Sequence, residues 1–249
     1  MPSAQKIRHA SYIATLLLLL AATAPARAQS AETLAGMNAY NTDDYATAFR
    51  LLQEAANAGD SDAQVSFGHL YARGQGVQAD QTMAFNLFAK SAEQGNSDGM
   101  HALGNQYQQG TGVPKDVDKA ISLYCRAIEY GNARSMNNLA NMLYIGRDLP
   151  QDIQEARNLW TQAIDRGNLD SMYNMALSYL DRHGAEIDKT DGTRWMLSAA
   201  NDGQPHAQMW LRRNGYTGPL PNPVNWNDMM VPSVRRAAGH TRVCGTPIS

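Results

Sequence analysis

Apolar side chains recur along this chain in helical stripes, and the stripes themselves recur in register. Met100, Leu103, Gly104 and Tyr107 stand at the i, i+3, i+4, i+7 spacing of one helix face. A second stripe, Ala120, Leu123, Tyr124, Ala127 and Ile128, follows the turn Gly110-Thr111-Gly112. The same order returns on both sides, so residues 61–96, 97–132, 133–168 and 169–204 form four gapless blocks of 36 residues. Phe67, Leu103, Leu139 and Met175 share one column, and Gly68, Gly104, Ala140 and Ala176 share the next. Tyr71, Tyr107, Leu143 and Tyr179 align further on, as do Phe88, Tyr124, Trp160 and Met196. A period of this size predicts a solenoid, whose units hide their apolar faces only against one another.

Each block reads as an antiparallel helix pair, and the expected fold is all-α, a right-handed α-solenoid of 36-residue repeats. Glycine inside a helix costs about 1 kcal/mol against alanine. A column that accepts only glycine or alanine therefore predicts a close crossing where a larger side chain would clash. Asp80, Asp116, Asp152 and Asp188 fit as N-caps of the second helices, with Asp152 and Glu155 spaced as a capping box. Gly95, Gly131, Gly167 and Gly203 end those helices, most simply as left-handed residues after the last turn.

The repeat begins mid-phase, because Asp44, Ala48, Leu51, Leu52, Ala55, Ala56 and Gly59 fall in second-helix columns. Residues 29–39 read as a leader without an element, and 29–60 as that leader plus a capping half repeat. Decay sets in later: Asp148 replaces the second turn glycine, and Arg182 replaces the first in the next block. A degenerate terminal repeat spans 205–218, keeping Leu211 but placing Arg212 in the small column. Beyond it, 219–249 is a proline-rich irregular tail. Within that tail Trp226, Met229, Met230 and Val231 are expected to cover the last helices, with a partner-binding peptide as the alternative.

Composition adds an address. Lys6, Arg8 and His9 precede an apolar run from Ile13 to Ala22, and Ala26-Arg27-Ala28 offers small residues to a signal peptidase. Residues 1–28 read as a secretory signal peptide, since the run is well short of the roughly 20 residues that span a bilayer. Its removal takes three of the 21 basic residues and none of the 23 acids, leaving 18 against 23 and a net charge of −5. A mildly acidic exported protein is a poor partner for nucleic acid. The expected location is the periplasm, with secretion as the alternative, and no membrane association after cleavage. That compartment permits Cys125 and Cys244 to pair and pin the tail to the 97–132 block; a small buried thiol at Cys125 is the other reading.

The columns resemble the Sel-one-like repeat family, relatives of the tetratricopeptide repeat with a Gly-x-Gly turn and a longer unit. Phe67-Gly68-His69-Leu70-Tyr71, Gly74-Gln75-Gly76-Val77, Gly110-Thr111-Gly112-Val113-Pro114-Lys115-Asp116 and Ser91-Ala92-Glu93-Gln94-Gly95-Asn96 carry the likeness. It extends from Tyr40 to about Gly218 and implies an adaptor or scaffold. Secreted relatives that resemble β-lactam-binding proteins carry paired cysteines in each repeat, a pattern this chain lacks.

First helices of such a solenoid usually line its concave face. Positions beside their core stripe then form a groove containing His69, His101, Asn105, Gln108, Asn137, Asn141, Tyr144 and Tyr173. Asparagine both donates to and accepts from an extended backbone, which suits capture of a protein or peptide of the cell envelope. Two histidines without a nearby carboxylate or cysteine make a poor metal site, and Met100, Met136 and Met172 fall in a core column, so neither a metal nor a cofactor is expected. Catalytic residues are not indicated, because no nucleophile elbow, no Ser-x-x-Lys beyond the signal and no His-Glu-x-x-His occurs. The expected function is a periplasmic interaction scaffold or regulator. Its alternatives are an envelope hydrolase of the β-lactamase or peptidoglycan-acting kind and a structural spacer.

Overall fold

A computed structural model describes residues 30–180, 189–218 and 242–245. The expected signal peptide, the turn at Arg182 and the apolar tail residues Trp226 to Val231 lie outside the described residues. Every described element is helical: α1 Ala31–Asn41, α2 Tyr45–Asn57, α3 Ser61–Arg73, α4 Gln81–Glu93, α5 Ser97–Gln109, α6 Val117–Glu129, α7 Ala133–Ile145, α8 Ile153–Ile164, α9 Leu169–Leu180, α10 Lys189–Asn201, α11 Pro205–Arg213 and α12 Arg242–Gly245. Helices pair within each repeat, and each second helix then packs on the first helix of the next repeat. First helices of successive repeats also touch, as α3 does with α5 and α7 with α9, which places them on the inner side of the curve.

The leader is a helix, contrary to the expectation for residues 29–39. Ser30 caps α1 by accepting the Thr33 amide at 3.1 Å, and Thr33, Gly36 and Ala39 are buried. A Cβ on Gly36 would lie 2.8 Å from Leu52, as one on Gly68 would lie 2.5 Å from Phe88. Gly36 thus holds the small-column place of an ordinary first helix. It stands 16 positions before Leu52, whereas Gly68 stands 20 before Phe88. The shorter turn moves α1 out of the 36-residue register, and α1 lacks the strong apolar stripe that would have announced it. The first repeat is therefore a complete pair.

The expected close crossing is present. A Cβ on Gly104 would stand 2.7 Å from the Tyr124 ring, so the aromatic column of the second helix lies against the small column of the first. Asp116 caps α6 through the Lys119 amide at 3.0 Å, and that bond holds its carboxyl below the usual range. At the capping box the Glu155 amide donates to Asp152 at 2.9 Å, while the Asp152 amide donates to the Leu143 carbonyl. After the second helices the glycines at 95, 131, 167 and 203 have positive φ. The next amide then reaches back to the last turn, as Asn132 does to Ala127 at 3.1 Å.

That next residue has two jobs. Asn96 Oδ1 caps α5 by accepting the Asp98 and Gly99 amides, and its Nδ2 donates to Asp62 of the preceding first helix at 2.6 Å. Asn132 repeats this with Ser135 and Asp98, and Gln204 with Ala207 and Asp170. Asp60 does the same for α3, its second oxygen accepting from Thr33 of α1 at 2.8 Å. Burial works against the Asp60 charge, but bonds from Ala63, Thr33, Ser30 and Asp62 outweigh it and lower the pKa. At these four junctions one side chain both ends one repeat and registers the next, whereas Asn168 caps its helix through the Ser171 amide at 2.8 Å and the preceding first helix holds Arg134 in the column of Asp62 and Asp98.

The core runs as layers through the stack: Leu52, Phe67 and Leu70 first, then Phe88, Met100 and Leu103, then a long stretch through Tyr124, Leu139, Trp160, Met175 and Met196 to Leu211. Cys125 and Cys244 are joined in a disulfide, with Cα atoms 5.4 Å apart, so the first of the two sequence readings holds. This seats α12 on α6, where Val243 packs against the core.

Candidate functional site

The inner face of the first helices carries a row of amides whose partners follow a rule. In the 97–132 block Asn105 Oδ1 accepts from the Tyr124 hydroxyl at 2.7 Å and from Asn138 Nδ2 of the next repeat at 2.7 Å. In the 133–168 block Asn141 Oδ1 accepts from Trp160 Nε1 at 3.1 Å and from Asn174 Nδ2 of the next repeat at 3.0 Å. Asn138 also donates to His101 Nε2 at 3.3 Å, and Asn174 to Asn137 Oδ1 at 2.9 Å. Each asparagine oxygen therefore takes one donor from its own second helix and one from the following first helix.

The rule stops where the chemistry stops. His69 occupies the Asn105 column, its repeat offers Phe88 instead of a donor, and the two rings pack with centroids 5.1 Å apart. At the other end Leu177 faces a repeat whose aromatic column holds the buried Met196. In this column, among the described residues, the asparagine-to-asparagine junction appears where Tyr or Trp can donate and the next block supplies asparagine. An unpaired buried amide would cost about 1–3 kcal/mol, so the three residues change together.

The sequence candidates therefore divide by environment. Asn137 is buried, and its Oδ1 also accepts from Ser171 Oγ at 3.0 Å, joining α7 to α9. Gln108 Oε1 lies 2.8 Å from the same Tyr124 hydroxyl, as an alternative acceptor for its one proton. Tyr144 packs its ring on Trp160 at 5.4 Å, and Tyr173 meets His206 at 5.9 Å. Burial and then Arg73 push His69 down to about 4; burial and then Arg134 do the same to His101. Both imidazoles are neutral near pH 7, and His101 Nε2 can accept from Asn105 and Asn138. Burial raises the Tyr124 hydroxyl, keeping it a donor at any working pH.

Asn138 and Asn174 escaped the sequence reading. They sit one position C-terminal to the column of His101 and Asn137, and their repetition 36 residues apart was the available signal. Their oxygens, together with Gln108 Nε2 and Asn141 Nδ2, have no hydrogen-bond partner among the described residues. The face thus keeps alternating acceptors and donors after its internal bonds are made. Among the described residues no group of three or more His, Cys, Asp or Glu could hold a metal ion, and no helix is long and apolar enough to cross a membrane.

The Sel1 repeat model matches residues 42–60, 61–96, 97–132, 133–168 and 169–204, well over half of the chain. The chain belongs to the Sel1 repeat family. A crystal structure of a Sel1 repeat protein from Oxalobacter formigenes is similar at 25% identity, covering 74% of this chain and 73% of that one with a TM-score of 0.61. A sel1 repeat protein from Klebsiella pneumoniae subsp. pneumoniae shares the fold at 20% identity, covering 73% and 90% of the two chains with a TM-score of 0.55. No curated relative matches the chain. Sel1 repeat proteins are in general protein-interaction scaffolds, and the family is typically non-catalytic. The Sel1 register begins at residue 42, so α1 is the part of the first repeat that lies outside it.

Proposed function

We infer that this Sel1 repeat protein is a periplasmic scaffold or regulator that holds a protein or peptide of the cell envelope along the inner face of its first helices. The observation that carries the reading is the unused half of the amide row: Gln108 Nε2, Asn138 Oδ1, Asn141 Nδ2 and Asn174 Oδ1 remain available once the internal bonds are made. An extended peptide presents the complementary alternation of C=O and N–H groups. Export is supported by residues 1–28 and by the Cys125–Cys244 disulfide, which suits an oxidising compartment. Mass spectrometry of the exported protein should find a chain that begins at Gln29.

In-cell crosslinking followed by mass spectrometry tests the scaffold directly. Gln108→Ala should diminish capture of the partner while the unfolding midpoint stays near that of the parent. Gln108 is chosen because Tyr124 keeps its bond to Asn105 without it. Undiminished capture would remove the groove. Turnover of muropeptides or of a chromogenic β-lactam, lost with a single groove substitution, would replace the scaffold with the hydrolase. A crosslinked protein that never gains a partner would leave the spacer.

A further inference from the structure

Between α3 and α5 the inner face opens into a cavity of about 250 Å³, lined by His69, Ala72, Gln81, Gln106 and Gln109 among others, with Phe88 beneath. No charged side chain is among its lining residues, and burial keeps the His69 imidazole neutral at pH 7. The side chains nevertheless retain hydrogen-bonding capacity in both directions. Gln81 Nε2 donates to the Ala72 carbonyl at 2.8 Å, leaving its Oε1 as an acceptor. Asn105 turns one N–H towards His101 and has a second to offer.

Gln106 is the observation that points to a ligand. It is 4% exposed, and its Oε1 is buried with no hydrogen-bond partner. The equivalent places in the flanking repeats hold the buried apolar residues Leu70 and Met142, so packing alone does not call for an amide there. An unsatisfied buried acceptor costs about 1–3 kcal/mol unless something donates to it. The terminal amide torsion of glutamine is broad, so Oε1 can turn to meet a donor in the cavity.

The geometry points to a binding site for a neutral carboxamide, the side chain of an asparagine or glutamine carried by the bound peptide. A carboxamide supplies the two N–H donors that Gln106 Oε1 and Gln81 Oε1 lack and accepts from Asn105, Gln109 or His69. With no charged side chain in the lining, an ammonium or carboxylate gains no direct ion pair for the water it gives up, which favours the neutral amide over both. About 250 Å³ holds such a side chain and a few waters at roughly 30 Å³ each. The source of the carboxamide rests on the scaffold reading; its chemistry does not.

The test is an NMR titration of the purified full chain, read at the His69 ring resonances. N-acetylglutamine methylamide should produce a saturable shift, and the glutamate and lysine analogues should bind about tenfold more weakly or worse. Ala72→Met fills the cavity and should weaken binding by about tenfold. Gln109→Ala, at the exposed rim, should weaken it by roughly threefold with an unchanged unfolding midpoint, so a folding failure of the first variant does not decide the matter. Equal binding of a charged analogue, or no His69 shift with any of the three, overturns the site. Partner capture undiminished in Ala72→Met would remove the pocket from recognition and leave the scaffold; amide binding by a chain that captures no partner would do the reverse.

Discussion

Tyr124 and Asn105 lie 19 positions apart on the two helices of one repeat, and the buried Tyr124 hydroxyl donates to Asn105 Oδ1 at 2.7 Å. That bond joins the aromatic column to the amide row, so the packing of a repeat and the chemistry of the inner face are linked. Tyr124→Phe should therefore destabilise the protein by about 1–2 kcal/mol, since Asn105 Oδ1 loses its donor from the second helix. Combining it with Asn105→Leu and Asn138→Ala, after the apolar junction at Leu177 and Met196, should cost less than the sum of the single changes. Urea unfolding of the full cycle measures the difference; strict additivity would show that the three residues do not act as a unit.

Glycine at the helix crossing is a second point of sensitivity. Gly104→Ala gains helix propensity, yet its Cβ would come within 2.7 Å of the Tyr124 ring. A net loss of about 1–3 kcal/mol is expected. Gly167→Ala has open space around it, and its cost should come from its φ of +79° alone. Thermal melts that rank the two in the opposite order would contradict the crossing.

Stability should fall in mild acid. His69 and His101 have folded pKa values of about 4 against 6.5 for the free side chain. Between those values the unfolded chain binds more protons, so their contribution is intact above about pH 6.5 and is lost as the pH drops towards 4. Arg73, Arg134 and Asp98 surround the pair, and His69 adds to the repulsion at His101. The loss should be on the order of 2 kcal/mol per histidine by pH 4, and His69→Gln with His101→Gln should flatten the profile. A parent melting temperature that does not change from pH 6.5 to 4.5 would count against burial of the two rings.

Reduction should loosen the stack. The Cys125–Cys244 bond spans 119 positions and ties α12 to α6. Dithiothreitol or Cys125→Ser should lower unfolding stability by about 2–4 kcal/mol. Denaturant titrations of oxidised and reduced protein, with free thiols counted, check this; superimposable curves would mean that α12 stabilises nothing.

Most of the architecture is legible in the sequence because its causes are local. Helical spacing, the Asp116 cap and the small column at Gly104 each act within one repeat, and repetition at 36 residues makes them stand out. The departures have physical reasons too. The α1 helix was hidden by a turn four residues shorter and by a weak apolar stripe, although Gly36 was in view. Of the inner face, the sequence marked His101, Asn105, Gln108 and Asn141 but not Asn138 or Asn174.

The sequence alone determined the repeat, the pairing of its helices and which residues cap them, because periodicity and capping depend on neighbours along the chain. Only the tertiary structure decided that Asn105 and Asn141 are held by Tyr124, Trp160, Asn138 and Asn174, that Gln106 carries an unpaired buried oxygen, and that Cys244 reaches Cys125. Those facts depend on how one repeat is set against the next, and a hydrogen bond is made or lost over a few tenths of an ångström that no column of residues records.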